Sequence, residues 1–301
     1  MKPYAVRSMF FVMMLVSPAS FAANGTPADP ASAAHPELVV STQWLADHLH
    51  DPKLVIVQIG HDVGVYRAGH IPGARFLSMD KFVDHHTPPE VELLPPEQLK
   101  KNLQEIGIGD DSRVVYYAPE WDPMATRLFF TMDYIGHGDQ TALLDGGLDQ
   151  WEREKRPTEK QDSVGTPATL SVHLQPQVLA KIDMMKRLVA DPDKDIVIID
   201  SRPSRRYRAG HLAGAQSFYW QEALVSEKEP LLKSPQQLRH LFTEAGLTAN
   251  KKAVSYCEVG LQASFTYFLA RYLGLDAAMY DGSYNEWSAA KLPVVQGDSP
   301  R

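Results

Sequence analysis

Cysteine is almost absent: 301 residues contain one, Cys257. A single thiol excludes an internal disulfide, a cysteine-based zinc site and any Cys-x-x-Cys redox pair. Basic charge is also scarce. Thirty Lys and Arg against 37 Asp and Glu give a formal net charge of −7, so no broad cationic face is offered to nucleic acid. The apolar stretch Met9 to Val16 is far short of the about 20 residues a membrane-spanning helix needs. His85-His86 stands isolated from further ligands, and Gly107-x-Gly109 lacks the rest of a dinucleotide fingerprint. Neither a metal nor an organic cofactor is expected.

What is present begins with an export signature. Lys2 and Arg7 precede the apolar Met9 to Val16, and Ser20-Phe21-Ala22 has the small-x-small form of a cleavage site. Residues 1–22 therefore read as a secretory signal peptide and imply the periplasm, with secretion as the alternative. Loss of Lys2 and Arg7 takes the charge from −7 to −9. No cysteine lies near the cleavage point, so lipid attachment there is excluded and no membrane contact is expected after cleavage. Residues 23–36 are rich in Ala and Pro and read as a flexible lead-in. A lone thiol in an oxidising compartment lacks a protective partner, which tilts it toward use. The plainer reading, a small buried hydrophobe, stands beside it.

An internal repeat organises the remainder. Tyr66-Arg67-Ala68-Gly69-His70-Ile71-Pro72-Gly73-Ala74 returns as Tyr207-Arg208-Ala209-Gly210-His211-Leu212-Ala213-Gly214-Ala215. Each copy follows an apolar run, Leu54 to Ile59 or Ile196 to Asp200, of the kind that forms a buried parallel strand. Val114 to Tyr117 and Ala253 to Tyr256 form a second pair of strand candidates. Each copy closes with Asp-Gly and a later Trp: Asp145 and Trp151, Asp281 and Trp287. Helical spacing appears at Phe265, Phe268, Leu269 and Tyr272, from a start near Gln262, and at Leu128, Phe129, Met132 and Ile135. Ser234-Pro235 opens another helix. Alternating strand and helix predicts an α/β fold, a parallel sheet covered on both faces in each copy. The boundaries are 37–157 for the N-terminal domain, 158–174 for the linker and 175–297 for the C-terminal domain.

The second copy resembles a rhodanese domain, and the chain is similar to tandem-domain sulfurtransferases acting on thiosulfate or 3-mercaptopyruvate. The matching residues are Asp200-Ser201-Arg202, Arg206-Tyr207, Gly210 to Ala215, the loop Cys257-Glu258-Val259-Gly260-Leu261-Gln262-Ala263, and Asp281-Gly282-Ser283 before Trp287. The resemblance implies two tandem rhodanese-like domains, each a parallel sheet flanked by helices, with the reactive cysteine in the C-terminal copy alone. It also implies that Arg206 contacts the anionic head of a small sulfur donor.

The residues carry a reading of their own. Cys257 follows a strand and precedes a helix, where ligands bind in parallel α/β sheets and where free N–H groups favour a thiolate. Gly260 lets the loop turn so that backbone N–H groups converge on sulfur. The related phosphatase loop, Cys-x5-Arg, is one residue longer and ends in an anion clamp; here Ala263 stands six residues after Cys257, which disfavours phosphate chemistry. Arg206 is the candidate anion ligand, placed in a loop at the same sheet edge. Arg202 reads as part of a solvated loop face with Arg205 and Arg208, while the resemblance implies that it pairs with a local acid to hold the loop. Asp200 and Asp281 read first as capping or turn residues, and His211 as a packed, hydrogen-bonded side chain.

The first copy looks emptied. An offset of 141 sets Ile59 at Asp200, His61 at Arg202 and Val65 at Arg206, and Ala118 falls at the cysteine. It is expected to be catalytically silent and to form one wall of an interdomain cleft. A covalent two-step transfer is expected: a Cys257 persulfide formed from thiosulfate, then passed to cyanide or a thiol. Glu258 places negative charge beside an anion site, worth about 1 to 4 kcal/mol near 4 Å. Val259 removes the hydroxyl found in mercaptopyruvate-type loops, while neutral Gln262 donates hydrogen bonds without charge. A 3-mercaptopyruvate sulfurtransferase and a non-catalytic sulfur- or partner-binding module are the alternatives. The oligomeric state is not legible.

Overall fold

The computed structural model describes residues 33–85, 92–119, 122–226 and 228–300. The export signature and His86 lie outside the described residues. The first copy contains β1 (Val39–Val40), α1 (Thr42–His48), β2 (Leu54–Gly60), α2 (Val63–Ala68), β3 (Arg75–Ser78), β4 (Val83–Asp84), β5 (Glu92–Leu93), α3 (Pro96–Glu105), β6 (Arg113–Tyr117), α4 (Met124–Tyr134), β7 (Thr141–Leu144) and α5 (Gly147–Arg153). The second contains β8 (Leu179–Ala180), α6 (Ile182–Ala190), β9 (Ile196–Asp200), α7 (Ser204–Ala209), β10 (Gln216–Ser217), α8 (Pro235–Glu244), β11 (Lys252–Tyr256), α9 (Leu261–Tyr272), β12 (Asp276–Tyr280) and α10 (Ser283–Ala289).

Each copy builds a five-stranded parallel sheet. The orders are β1-β7-β6-β2-β3 and β8-β12-β11-β9-β10, the same path through corresponding strands. The apolar runs become the central strands because burial on both faces needs continuous hydrophobicity. Helix α8 starts where Ser234 and Gln237 close a reciprocal capping box ahead of Pro235. The two-residue edge strands and the β4–β5 hairpin carry too short a pattern to be foreseen. Residues 158–174 hold no helix or strand. They run along the first domain, bridged to it at His70 and Glu159 and anchored by buried Leu170. Among the described residues no helix is long and apolar enough to cross a membrane.

Helices α4 and α9 pack against each other and join the two copies. Phe129 meets Phe268 edge-on at 5.0 Å, and Phe130 meets Tyr267 at 5.2 Å; such pairs contribute about 0.5–1.5 kcal/mol each beyond burial. Thr126 Oγ1 lies 2.9 Å from Ser264 Oγ, which sets the register of the two helices. Each copy also reaches into the other. The Leu93 N–H donates to Asp281 Oδ2 and the Leu232 N–H to Asp145 Oδ1, both at 2.9 Å.

Repeated residues serve repeated bonds. Tyr66 and Tyr207 donate to the carbonyls of Ala74 and Ala215 and stack on His70 and His211. Trp151 and Trp287 donate to the carbonyls of Pro157 and Pro293. His211 is a packed residue, as expected. One correspondence needs correction. In the sheets Asp200 lies opposite Tyr256, and Gln58 opposite Tyr117, so the counterpart of Asp200 is Gln58 rather than Ile59. The first copy carries one more residue between this strand position and its Tyr-Arg-Ala-Gly-His element, which an ungapped offset cannot represent.

Candidate functional site

Cys257 follows β11 directly and is 1% exposed. The turn to α9 is short: Gly260 is its N-cap and the helix begins at Leu261, earlier than the spacing predicts. Gly260 has φ of +84°, a left-handed conformation that favours glycine. Its N–H points at Cys257 Sγ from 3.1 Å. Burial pushes the thiol up, and the backbone N–H groups of Ala263, Val259, Gly260 and Gln262 pull it back down. The loop N–H groups thus favour the thiolate, and desolvation outweighs them. Glu258 and Leu261 complete the loop at its rim, each partly exposed.

A second loop cradles the first. Ser283 Oγ accepts the Cys257 N–H at 3.2 Å and donates to the Tyr280 carbonyl. The N–H groups of Tyr284 and Asn285 donate to the carbonyls of Cys257 and Glu258. Ser283 holds φ of +53°, a conformation costly for a residue with a side chain. Its hydroxyl bonds explain why serine is found there.

Asp200 and Arg202 form a buried fork. Arg202 Nε and Nη2 donate to Asp200 Oδ1 and Oδ2 at 3.0 and 2.7 Å, and Tyr256 Oη donates to Oδ2 at 2.7 Å. Asp200 is thus no helix cap; Pro203 holds that position on α7. Arg202 Nη2 also donates to the Gly210 carbonyl, and its guanidinium lies 3.9 Å from the Tyr284 ring centroid. Its Nη1 is 3.4 Å from Glu258 Oε2, so part of the Glu258 charge is met by a cation. Of the two readings for Arg202, pairing with a local acid holds.

Arg206 lies on α7 rather than in a loop. It is exposed and makes no ion pair or hydrogen bond through its side chain among the described residues. Its helix follows β9, the neighbour of β11, so it springs from the same sheet edge as Cys257. Val65, set at this position by the repeat, is 44% exposed on α2.

Asp281 is not chiefly a turn residue either. It is buried between the domains, where Oδ1 accepts from Arg127 Nη1 at 2.5 Å and Oδ2 from the Leu93 N–H. The N-cap of α10 is Gly282. Arg127, on α4 and 0% exposed, was missed by sequence reasoning. A signal existed: a charge set among Ala125, Leu128, Phe129 and Phe130 on a largely buried helix. An interdomain cleft of about 530 Å3 opens beside Asp281, lined from both copies by Glu92, Leu93, Lys181, Gly282 and Glu286 among others, and not by Cys257. Burial, then the charges of Asp281 and Glu286, push Glu92 up to about 7. Among the described residues no group of three or more His, Cys, Asp or Glu is placed to hold a metal.

The Rhodanese-like domain model matches residues 41–154 and again 182–290. The chain is a tandem rhodanese. This tandem rhodanese is 31% identical over 299 residues to SseA of Mycobacterium leprae, provisionally named a thiosulfate sulfurtransferase, covering 91% of this chain and 97% of that protein. It is 29% identical over 286 residues to the sulfur carrier protein TtuD of Thermus thermophilus, covering 88% and 99%. Among solved structures, the 3-mercaptopyruvate enzyme SseA of Escherichia coli superposes with a TM-score of 0.73 at 25% identity, over 82% of this chain and 98% of that one. The anaerobic ergothioneine biosynthesis enzyme of Chlorobium limicola shares the fold, with a TM-score of 0.77 at 21% identity over 88% and 71%. The tandem rhodanese thus belongs with the sulfurtransferases.

Proposed function

We propose that the protein is an exported sulfurtransferase that carries a sulfane sulfur on Cys257, with thiosulfate as donor and cyanide or a thiol as acceptor. The observation that carries this reading is the convergence of loop N–H groups on one sulfur, Gly260 at 3.1 Å, with Ala118 in the corresponding place of the other copy. The Cys257 thiolate attacks the outer sulfur of thiosulfate. The S–S bond of the donor breaks, sulfite leaves with the electron pair, and a persulfide remains on Cys257. The acceptor then attacks the outer sulfur, and the Cys257 thiolate is released. The loop N–H donors stabilise the anionic persulfide, and the exposed Arg206 supplies a fork for the donor's oxygens. Because burial holds the thiol up, turnover is expected to rise as pH increases through neutrality.

Thiosulfate is favoured over 3-mercaptopyruvate because Val259 offers no hydroxyl to a carbonyl substrate, while Arg202 meets part of the Glu258 charge that would repel a dianion. Intact-mass measurement after incubation with thiosulfate tests this. A gain of one sulfur atom, removed by cyanide and absent in Cys257→Ser, is expected. No gain from thiosulfate with a gain from 3-mercaptopyruvate would change the donor. No gain from either would leave a binding module.

A further inference from the structure

The first domain has no thiol, yet it sets a guanidinium against the loop that carries one. Arg127 Nη1 donates to Asp281 Oδ1. The same two atoms crowd Gly260: a methyl group built there would lie 3.1 Å from Arg127 Nη1, 3.2 Å from Asp281 Oδ1 and 3.0 Å from the Asp281 carbonyl. The Gly260 N–H in turn points at Cys257 Sγ. Arg127, Asp281, Gly260 and the sulfur therefore form one unbroken line of contacts across the domain boundary. Asp281 also begins the segment whose Ser283 and Tyr284 hold the backbone of Cys257 on both sides.

The other half of the interface supplies a control. The facing hydroxyls of Thr126 and Ser264 align α4 with α9, which makes Phe265 the counterpart of Arg127. Next to Ala118, the matching carboxylate Asp145 receives the Leu232 N–H and no cation among the described residues. The arginine stands only where the cysteine stands.

We infer that Arg127 is a positioning residue for the sulfur-carrying loop: it holds Asp281 so that the Gly260 N–H stays on the sulfur, and it cancels the carboxylate charge beside that loop. The inference deepens the sulfurtransferase reading and rests on it. Other charges facing this region are Glu92 on β5, Glu286 on α10, Lys181, and the Arg202–Glu258 pair.

The test is the pH dependence of Cys257 alkylation by iodoacetamide in the full chain, which needs no sulfur transfer. Arg127→Met leaves the Asp281 charge uncompensated, and the alkylation midpoint moves up by about one pH unit. Asp281→Asn removes the carboxylate charge beside the loop while Arg127 keeps its own, and the midpoint moves down. The double variant returns toward the parent, and Arg127→Lys stays within about half a unit of it. If Arg127→Met fails to fold by near-ultraviolet circular dichroism, Asp281→Asn and Arg127→Lys carry the comparison. Shifts of the same sign in the two single variants, or an Asp281→Asn midpoint that does not fall, overturn the inference. Absence of sulfur uptake by the parent chain overturns the sulfurtransferase reading instead, and leaves the alkylation result standing.

Discussion

Beside Cys257 lie Ser283, the Asp200–Arg202 fork and the Arg127–Asp281 pair; in the other copy the corresponding positions are Gly147, Gln58, and Phe265 with Asp145. The backbone agrees at some positions and departs at others: Gly146 is left-handed at φ +76° where Gly282 has φ −64°. Gly147 keeps φ of +58° where Ser283 has +53°, and the Leu148 N–H still approaches the Ala118 carbonyl as that of Tyr284 approaches Cys257. Tyr117 still donates to a side chain across the sheet, now Gln58 at 3.0 Å. Bonds that hold the fold are retained in both copies. Groups that touch or flank the sulfur are found in one. The scaffold and the chemistry can therefore be separated residue by residue within a single chain.

The sharpest way to break this comparison is at the two interface carboxylates. Arg127→Met strands a buried charge on Asp281 and is expected to destabilise the protein by about 3–5 kcal/mol in urea titration. A loss below 1 kcal/mol would mean that the pair contributes as little as an exposed one. Asp145 should behave oppositely. Burial raises it to about 6 from 3.8, so the folded chain holds its proton more tightly than the unfolded chain. Its contribution to stability is full below about pH 4, is lost as pH climbs to about 6, and stays lost above. Asp145→Asn keeps a carbonyl for the Leu232 N–H and should stabilise by about 1–3 kcal/mol at pH 8, with the gain vanishing below pH 4. A melting temperature at pH 8 that falls would refute it. The smallest effect concerns Ser283. Ser283→Ala loses the hydroxyl bonds and keeps the strained backbone, at about 2 kcal/mol; Ser283→Gly loses the bonds and relieves the strain, at about 1 kcal/mol. Glycine proving worse than alanine in thermal melts would show that the backbone there is unstrained.

Much of this was legible in sequence because it is local. The central strands are continuous apolar runs, α8 has its own capping residues, and the repeat marks both copies. Cys257 and its loop announced themselves by lying between a strand and a helix. Arg127 did not, since its partner Asp281 is 154 residues away and no pattern along the chain links them. Asp281 reads as a turn residue for the same reason: Asp-Gly looks alike whether or not another domain grips the carboxylate. The loop expected at Arg206, just beyond the end of its strand, is instead the short helix α7, capped at Pro203. The Gln58 correspondence needed strand register, which only the folded sheet supplies.

The hydrogen bond from the Leu93 amide to Asp281 spans 188 residues, and its consequence is an order of events. A chain synthesised from its N-terminus makes Leu93 and Arg127 long before Asp281. The bonds that hold the Cys257 backbone come from Ser283, Tyr284 and Asn285 of its own copy, whereas the grip on Asp281 needs both copies to be made.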